Sequence, residues 1–120
     1  PVLIERGNKY PEEDYKIISK GLEERSFCYI DDAIDATIMM VDELQVTDFV
    51  GPFNIGRQEK ISIRDLALLV REVIDPSMEF KIDEQLEASI MCQWCDCSAI
   101  KKEVGWEAKV TLEEGIRKII

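Results

Sequence analysis

An acidic pair set between an apolar-aromatic run and a helical pattern constrains this chain more than any other stretch. In Arg25-Ser26-Phe27-Cys28-Tyr29-Ile30, the residues Phe27, Tyr29 and Ile30 suit a short half-buried strand, because aromatic and β-branched side chains pack well on a pleated surface. Asp31 and Asp32 follow. Either can accept backbone N–H bonds as the N-cap of a helix in which Ile34, Ile38 and Val41 recur at helical spacing. Arg25 stands just ahead of the strand. A guanidinium fixed at a strand mouth presents a rigid fork of donors, the geometry that takes a phosphate or carboxylate in two bonds. The alternative is a surface arginine paired with Glu23 or Glu24.

The remaining segments alternate in the same way. Val2-Leu3-Ile4 opens a brief helix that gives way to a loop at Gly7, Asn8 and Pro11, and Tyr15-Lys16-Ile17-Ile18 reads as a strand broken at Gly21. The helix after Asp32 should end near Leu44, with Gln45 to Phe49 as a link. Gly51-Pro52 mark a turn before Phe53-Asn54-Ile55-Gly56, a short strand stopped by glycine. Ser62 and Asp65 make a capping-box-like start for a helix whose apolar stripe is Ile63, Leu66, Ala67, Val70, Val73 and Ile74. That helix stops at Asp75-Pro76, since proline disfavours helix in the residue before it. Met78-Glu79-Phe80-Lys81-Ile82 alternates like a half-exposed strand, and an acidic irregular stretch runs from Asp83 to about Ile90. Asp96 or Ser98 can cap a helix through Val104, with Gly105 as its stop and Trp106 packing back on the core. Thr111 and Glu114 form a last capping box. The expected fold is α/β, a small sheet of short strands covered by three or four helices in a single domain, 1–120.

Composition excludes several classes of function. At 120 residues the chain is one domain's worth, and its net charge of −10 disfavours the phosphate neutralisation on which general nucleic-acid binding rests. Anionic membranes are disfavoured for the same reason. No apolar run approaches the about 18 residues that span a bilayer, so no membrane partner is expected and a cytoplasmic location is. With no histidine, Ser-His-Asp and Cys-His catalysis are excluded, and so are His-ligated metals. The six glycines are too scattered to form a phosphate-cradling loop. Starting at Pro1 and ending within an apparent helix, the chain reads as an excised piece of something longer.

Three constellations could carry chemistry. Cys92-Gln93-Trp94-Cys95-Asp96-Cys97 has the CxxC spacing of a zinc or redox pair, but only Cys28 or an acidic group could complete a set of four zinc ligands. Small, partly buried thiols beside Trp94 are favoured over metal, and no metal site is assigned. A tyrosine base needs a lysine one helical turn later, and Tyr10, Tyr15 and Tyr29 are followed there by Asp14, Ser19 and Ala33, so no catalytic residue is assigned. Arg57 and Arg64 flank the turn after Gly56, where loops of α/β domains often meet ligands; a solvated surface is the alternative.

Three stretches together resemble the C-terminal portion of the extended short-chain dehydrogenase/reductase family, the NAD-dependent sugar-nucleotide epimerases, dehydratases and decarboxylases. They are Arg25-Ser26-Phe27-Cys28-Tyr29-Ile30-Asp31-Asp32, then Gly51-Pro52-Phe53-Asn54-Ile55-Gly56, then Asp96-Cys97-Ser98 leading to Gly105-Trp106 and Leu112-Glu113-Glu114-Gly115-Ile116. The resemblance implies an N-terminal Rossmann domain, absent here, that binds NAD and carries the Tyr-x-x-x-Lys pair, and a C-terminal part that holds a nucleotide-diphosphate sugar. Arg25 matches the family arginine on the substrate diphosphate, and Asn54-Ile55-Gly56 matches the strand end near the cleft. The family's second arginine, just before the residue matching Asp96, is missing; Gln93 or Trp94 occupies that region, and no arginine falls between Arg71 and Arg117. The expected substrate contacts are Arg25 and Asn54 from the resemblance, Gln93 from its place in that region and Arg57 from its loop, in a substrate-binding domain inactive by itself. A free-standing binding or regulatory module of the same fold is the alternative. A domain cut from its partner should also expose an apolar face and self-associate.

Overall fold

A computed structural model describes residues 2–43 and 51–120. Among them are α1 (Val2–Asn8), β1 (Tyr15–Ile17), β2 (Glu24–Arg25), α2 (Ile30–Glu43), β3 (Ile61–Ser62), α3 (Ile63–Ile74), β4 (Phe80–Ile82), β5 (Cys92–Gln93), α4 (Ser98–Val104) and α5 (Leu112–Ile119). This is the expected small α/β fold, with five helices on very short strands. The expected helix end at Leu44 and the link 45–49 lie outside the described residues. No helix of the described residues is long and apolar enough to cross a membrane.

The chain divides into two compact units. The first comprises Pro1–Arg25, Ile61–Gln93 and Glu113–Ile120, and the second Ser26–Lys60 and Trp94–Leu112. In the first unit β1 runs parallel to β4, with Tyr15 opposite Phe80, while β2 lies between antiparallel β3 and parallel β5. Ladders of two or three residues supply few hydrogen bonds, so burial of helix faces has to hold this unit. α3 buries Leu66, Ala67 and Val70 on the stripe that the sequence marks. Its start is capped as expected, the Asp65 N–H donating to Ser62 Oγ at 3.1 Å. Asp75 ends it in an extended conformation ahead of Pro76. Tyr15 is fully buried, and its hydroxyl donates to the Ala67 carbonyl at 2.6 Å, tying β1 to α3. Burial pushes this phenol up to about 12.

In the second unit the core is Ala36, Cys97, Ile100, Val104 and Trp106, formed where α2 meets α4. Gly105 ends α4 at φ 73°, a left-handed conformation that favours glycine, and returns its N–H to the Lys101 carbonyl. Trp106 then packs back on the core as expected.

Two expected strands are not formed. Residues 26–29 are irregular and the ladder sits at Glu24–Arg25, since a strand needs a hydrogen-bonding partner and β3 and β5 meet the chain there. The segment 53–56 is irregular too, bending at the buried Gly56. α2 begins at Ile30, so Asp31 and Asp32 occupy its first turn rather than its cap. Its isoleucine stripe faces outward: Ile30, Ile34, Ile38 and Val41 are 62%, 49%, 52% and 78% exposed. The buried face carries Asp32 and Ala36 instead, one turn apart, because the small alanine lets a neighbouring helix approach.

Replacing Tyr15 by Phe is expected to cost about 0.5–1.5 kcal/mol through the lost hydroxyl bond. The native tyrosine also predicts an alkaline loss of stability. The folded state keeps the phenolic proton above its ordinary value of 10.0, so the unfolded state releases it first and stability falls as pH climbs from there toward about 12. Urea unfolding of both proteins near neutral pH and at about pH 11 checks this: the gap between them should narrow at high pH.

Candidate functional site

In the second unit Arg57 is fastened at three points. Its carbonyl accepts a hydrogen bond from the Ser26 hydroxyl, its Nε donates to Glu59 Oε2 at 2.9 Å, and its Nη1 donates to the Val110 carbonyl at 2.8 Å. The Val110 N–H donates in turn to Asp32 Oδ2 at 2.9 Å, joined by the Lys109 N–H at 3.1 Å. Asp32 is only 3% exposed, so these amides replace the water that its carboxylate has lost. The hydrogen bond with Glu59 raises the Arg57 pKa above its ordinary value and lowers that of Glu59 below the usual carboxylate range.

Asn54 and Gln58 belong to the same loop and converge on Asp96. Asn54 Nδ2 donates to the Asp96 carbonyl at 3.1 Å and Gln58 Nε2 to Asp96 Oδ1 at 3.2 Å. The Ser98 N–H donates to that same oxygen at 3.0 Å, which holds Asp96 below its ordinary pKa and satisfies the first turn of α4. Beside this loop is an open cavity of about 190 Å³ lined by Gly56, Arg57, Gln58, Cys97, Lys101 and Trp106, among others. Lys101 is paired there with Glu107 at 3.3 Å.

In the first unit Arg25 and Gln93 lie opposite each other in register on β2 and β5. Arg25 donates from Nη1 to the Glu24 carbonyl at 2.7 Å and from Nη2 to the Ile90 carbonyl at 2.8 Å. The carboxylate pairing open to it by sequence is not what holds it. Glu23 instead accepts the Ser19 hydroxyl at 2.6 Å, and Glu24 meets Arg25 through its backbone. Two backbone carbonyls therefore aim the fork without neutralising its charge. Gln93 is exposed. Arg64 sits exposed in the first turn of α3.

The structure thus brings Arg25 to Gln93 within one unit and gathers Asn54 and Arg57 on one loop of the other. Sequence reasoning missed Lys101 and the anchoring role of Asp32. Spacing alone marks neither: Lys101 follows the cavity-lining Cys97 by four residues and Asp32 precedes the buried Ala36 by four, but packing decides which faces of α4 and α2 turn inward. Among the described residues no three or more His, Cys, Asp or Glu side chains are grouped to hold a metal ion.

Asp32→Ala should destabilise the protein by about 1.5–3 kcal/mol, since it strands two amides that bond a charged oxygen. Asp31→Ala, exposed in the same turn, should cost less than about 1 kcal/mol. Denaturant unfolding of both variants checks the contrast.

No family model matches the chain. It is 36% identical over 96 residues to UDP-glucuronic acid decarboxylase 3 of Arabidopsis thaliana, an alignment covering 80% of this chain and 27% of that protein. Its fold matches the UDP-glucose 4-epimerase of Thermotoga maritima, solved with UDP-glucose, at a TM-score of 0.79 and 25% identity over 97% of this chain and 36% of that one. The UDP-glucuronic acid 4-epimerase of Bacillus cereus, solved with UDP-glucuronic acid and NAD, shares the fold at a TM-score of 0.75 and 22% identity, over 95% of this chain and 37% of that one. The chain spans about a quarter of the length of these curated relatives. By sequence and by fold the chain is similar to sugar-nucleotide epimerases and decarboxylases, in keeping with its resemblance to the C-terminal portion of the extended short-chain dehydrogenases/reductases.

Proposed function

We propose that this chain is the sugar-nucleotide-binding C-terminal part of an NAD-dependent nucleotide-sugar epimerase, decarboxylase or dehydratase acting in the cytoplasm, with Arg25, Asn54, Arg57 and Gln93 as its ligand contacts. The observation that carries this reading is the Arg25 guanidinium, aimed by the Glu24 and Ile90 carbonyls and left with its charge available. A diphosphate presents paired anionic oxygens that suit such a fork. Arg57 and Lys101 line the cavity of the second unit, each beside a carboxylate that lines it too. Their partners Glu59 and Glu107 are 73% and 67% exposed, and ion pairs so wet are worth little, so an incoming anion can exchange with them. A volume of about 190 Å³ suits one portion of a nucleotide sugar rather than the whole.

NAD itself does not fit the residues present, which include neither a glycine-rich turn nor a Tyr-x-x-x-Lys pair. In this reading an N-terminal Rossmann domain of the same protein binds NAD and supplies the base, and the 120-residue chain alone is inactive. The two units serve together as one substrate-binding domain. The outward stripe Ile30, Ile34, Ile38 and Val41 offers an apolar face to that Rossmann domain, and without it would drive self-association. A free-standing binding module is the second reading, favoured by the lack of any arginine between Arg71 and Arg117.

Arg25→Ala in the complete protein tests the proposal. Loss of one charge-assisted phosphate contact should weaken binding of a UDP-sugar by about 1.5–3 kcal/mol in titration calorimetry. Unchanged affinity would remove Arg25 from the site.

A further inference from the structure

The proposed function gives the cysteines of this stretch no part, and the structure separates them. Cys92 is exposed on β5 in the first unit, whereas Cys95 and Cys97 lie in the second. Cys97 Sγ donates a hydrogen bond to Cys95 Sγ at 3.3 Å. Gly56 makes room for the pair: a Cβ on it would stand 2.9 Å from Cys95 Sγ and 3.8 Å from Cys97 Sγ. Cys95 is partly exposed, while Cys97 is 8% exposed at the N-cap of α4.

We propose that Cys95 and Cys97 form a redox couple that closes into an intrachain disulfide, with a peroxide as oxidant and a small thiol as reductant. The more accessible Cys95 sulfur attacks the peroxide, so that an S–O bond forms, the O–O bond breaks, and one water leaves with the thiol proton. Cys97 Sγ then attacks the sulfenic sulfur. The S–S bond forms as the S–O bond breaks, and the Cys97 proton leaves with the departing oxygen as a second water. Burial and the bond to Cys95 push the Cys97 thiol up, which disfavours it as the sulfur that meets peroxide first, and its place 3.3 Å from Cys95 is what fits it to the second step.

Closure draws the sulfurs from 3.3 Å to about 2.0 Å. A ring closed over the single residue Asp96 is strained, so a thiol reductant reopens it readily. Asp96 is the residue that Asn54 and Gln58 grip, and Cys97 lines the cavity, so the oxidation state sets how firmly this loop is held.

Mass spectrometry tests the couple directly. The native, reduced protein is treated with hydrogen peroxide, its remaining thiols are blocked with N-ethylmaleimide, and it is cut before Asp96. The expected product is a Cys95-peptide linked to the Cys97-peptide, with Cys28 and Cys92 alkylated and the link lost on adding dithiothreitol. In Cys92→Ser the same link should form at an unchanged rate, and in Cys97→Ser a dimedone-trapped sulfenic acid should accumulate on Cys95. Full alkylation of all four thiols after peroxide, or a link from Cys28 in place of Cys97, would overturn the proposal.

Discussion

Val110 is gripped on both of its backbone polar groups, Asp32 accepting its N–H and the Arg57 guanidinium donating to its carbonyl. The second unit depends on that grip. Asp32 is buried in the first turn of α2, so a helix end, the segment before α5 and the loop of Arg57 are joined through one residue. A charge in that setting is tolerated only with donors around it, and the Lys109 and Val110 amides supply them. Arg57 is consequently held in place by the fold, with its remaining bond to Glu59 free to exchange in solvent.

The first unit orients its arginine by a different means. Its strands are too short to be stable as an isolated sheet, and α3, with Leu66, Ala67 and Val70 buried, provides the apolar face beside which Tyr15 is buried. Once that packing is formed, the β2–β5 register places Gln93 opposite Arg25, and the carbonyl of Ile90 receives the guanidinium. Both arginines are thus aimed by main-chain carbonyls. Such contacts set direction at modest energy without neutralising a guanidinium, and only Arg57 adds a carboxylate partner, Glu59.

Much of this was legible from residues alone. The α3 stripe, its Ser62 cap, its stop before Pro76 and the Gly105 turn are local rules that tertiary structure had no cause to override. The stretches around Phe27 and Phe53 misled because their β-propensity was real while, among the described residues, no strand pairs with them. α2 misled in a different way. Its Ile34, Ile38 and Val41 have the spacing of a core face, yet Ala36 and Asp32 are what this fold buries. Neither the cavity's Lys101 nor the pairing of Cys95 with Cys97 can be read from spacing alone, since each depends on how α4 packs beside Gly56.

The account as a whole rests on this chain being the ligand-holding part of a larger NAD-dependent enzyme. The most direct measurement is the size of the native protein in its source cells, by immunoblot with an antibody against this chain. The account predicts a band of more than twice the 13.8 kDa of the 120 residues. A single band at 13.8 kDa would contradict it and leave the free-standing binding module in its place.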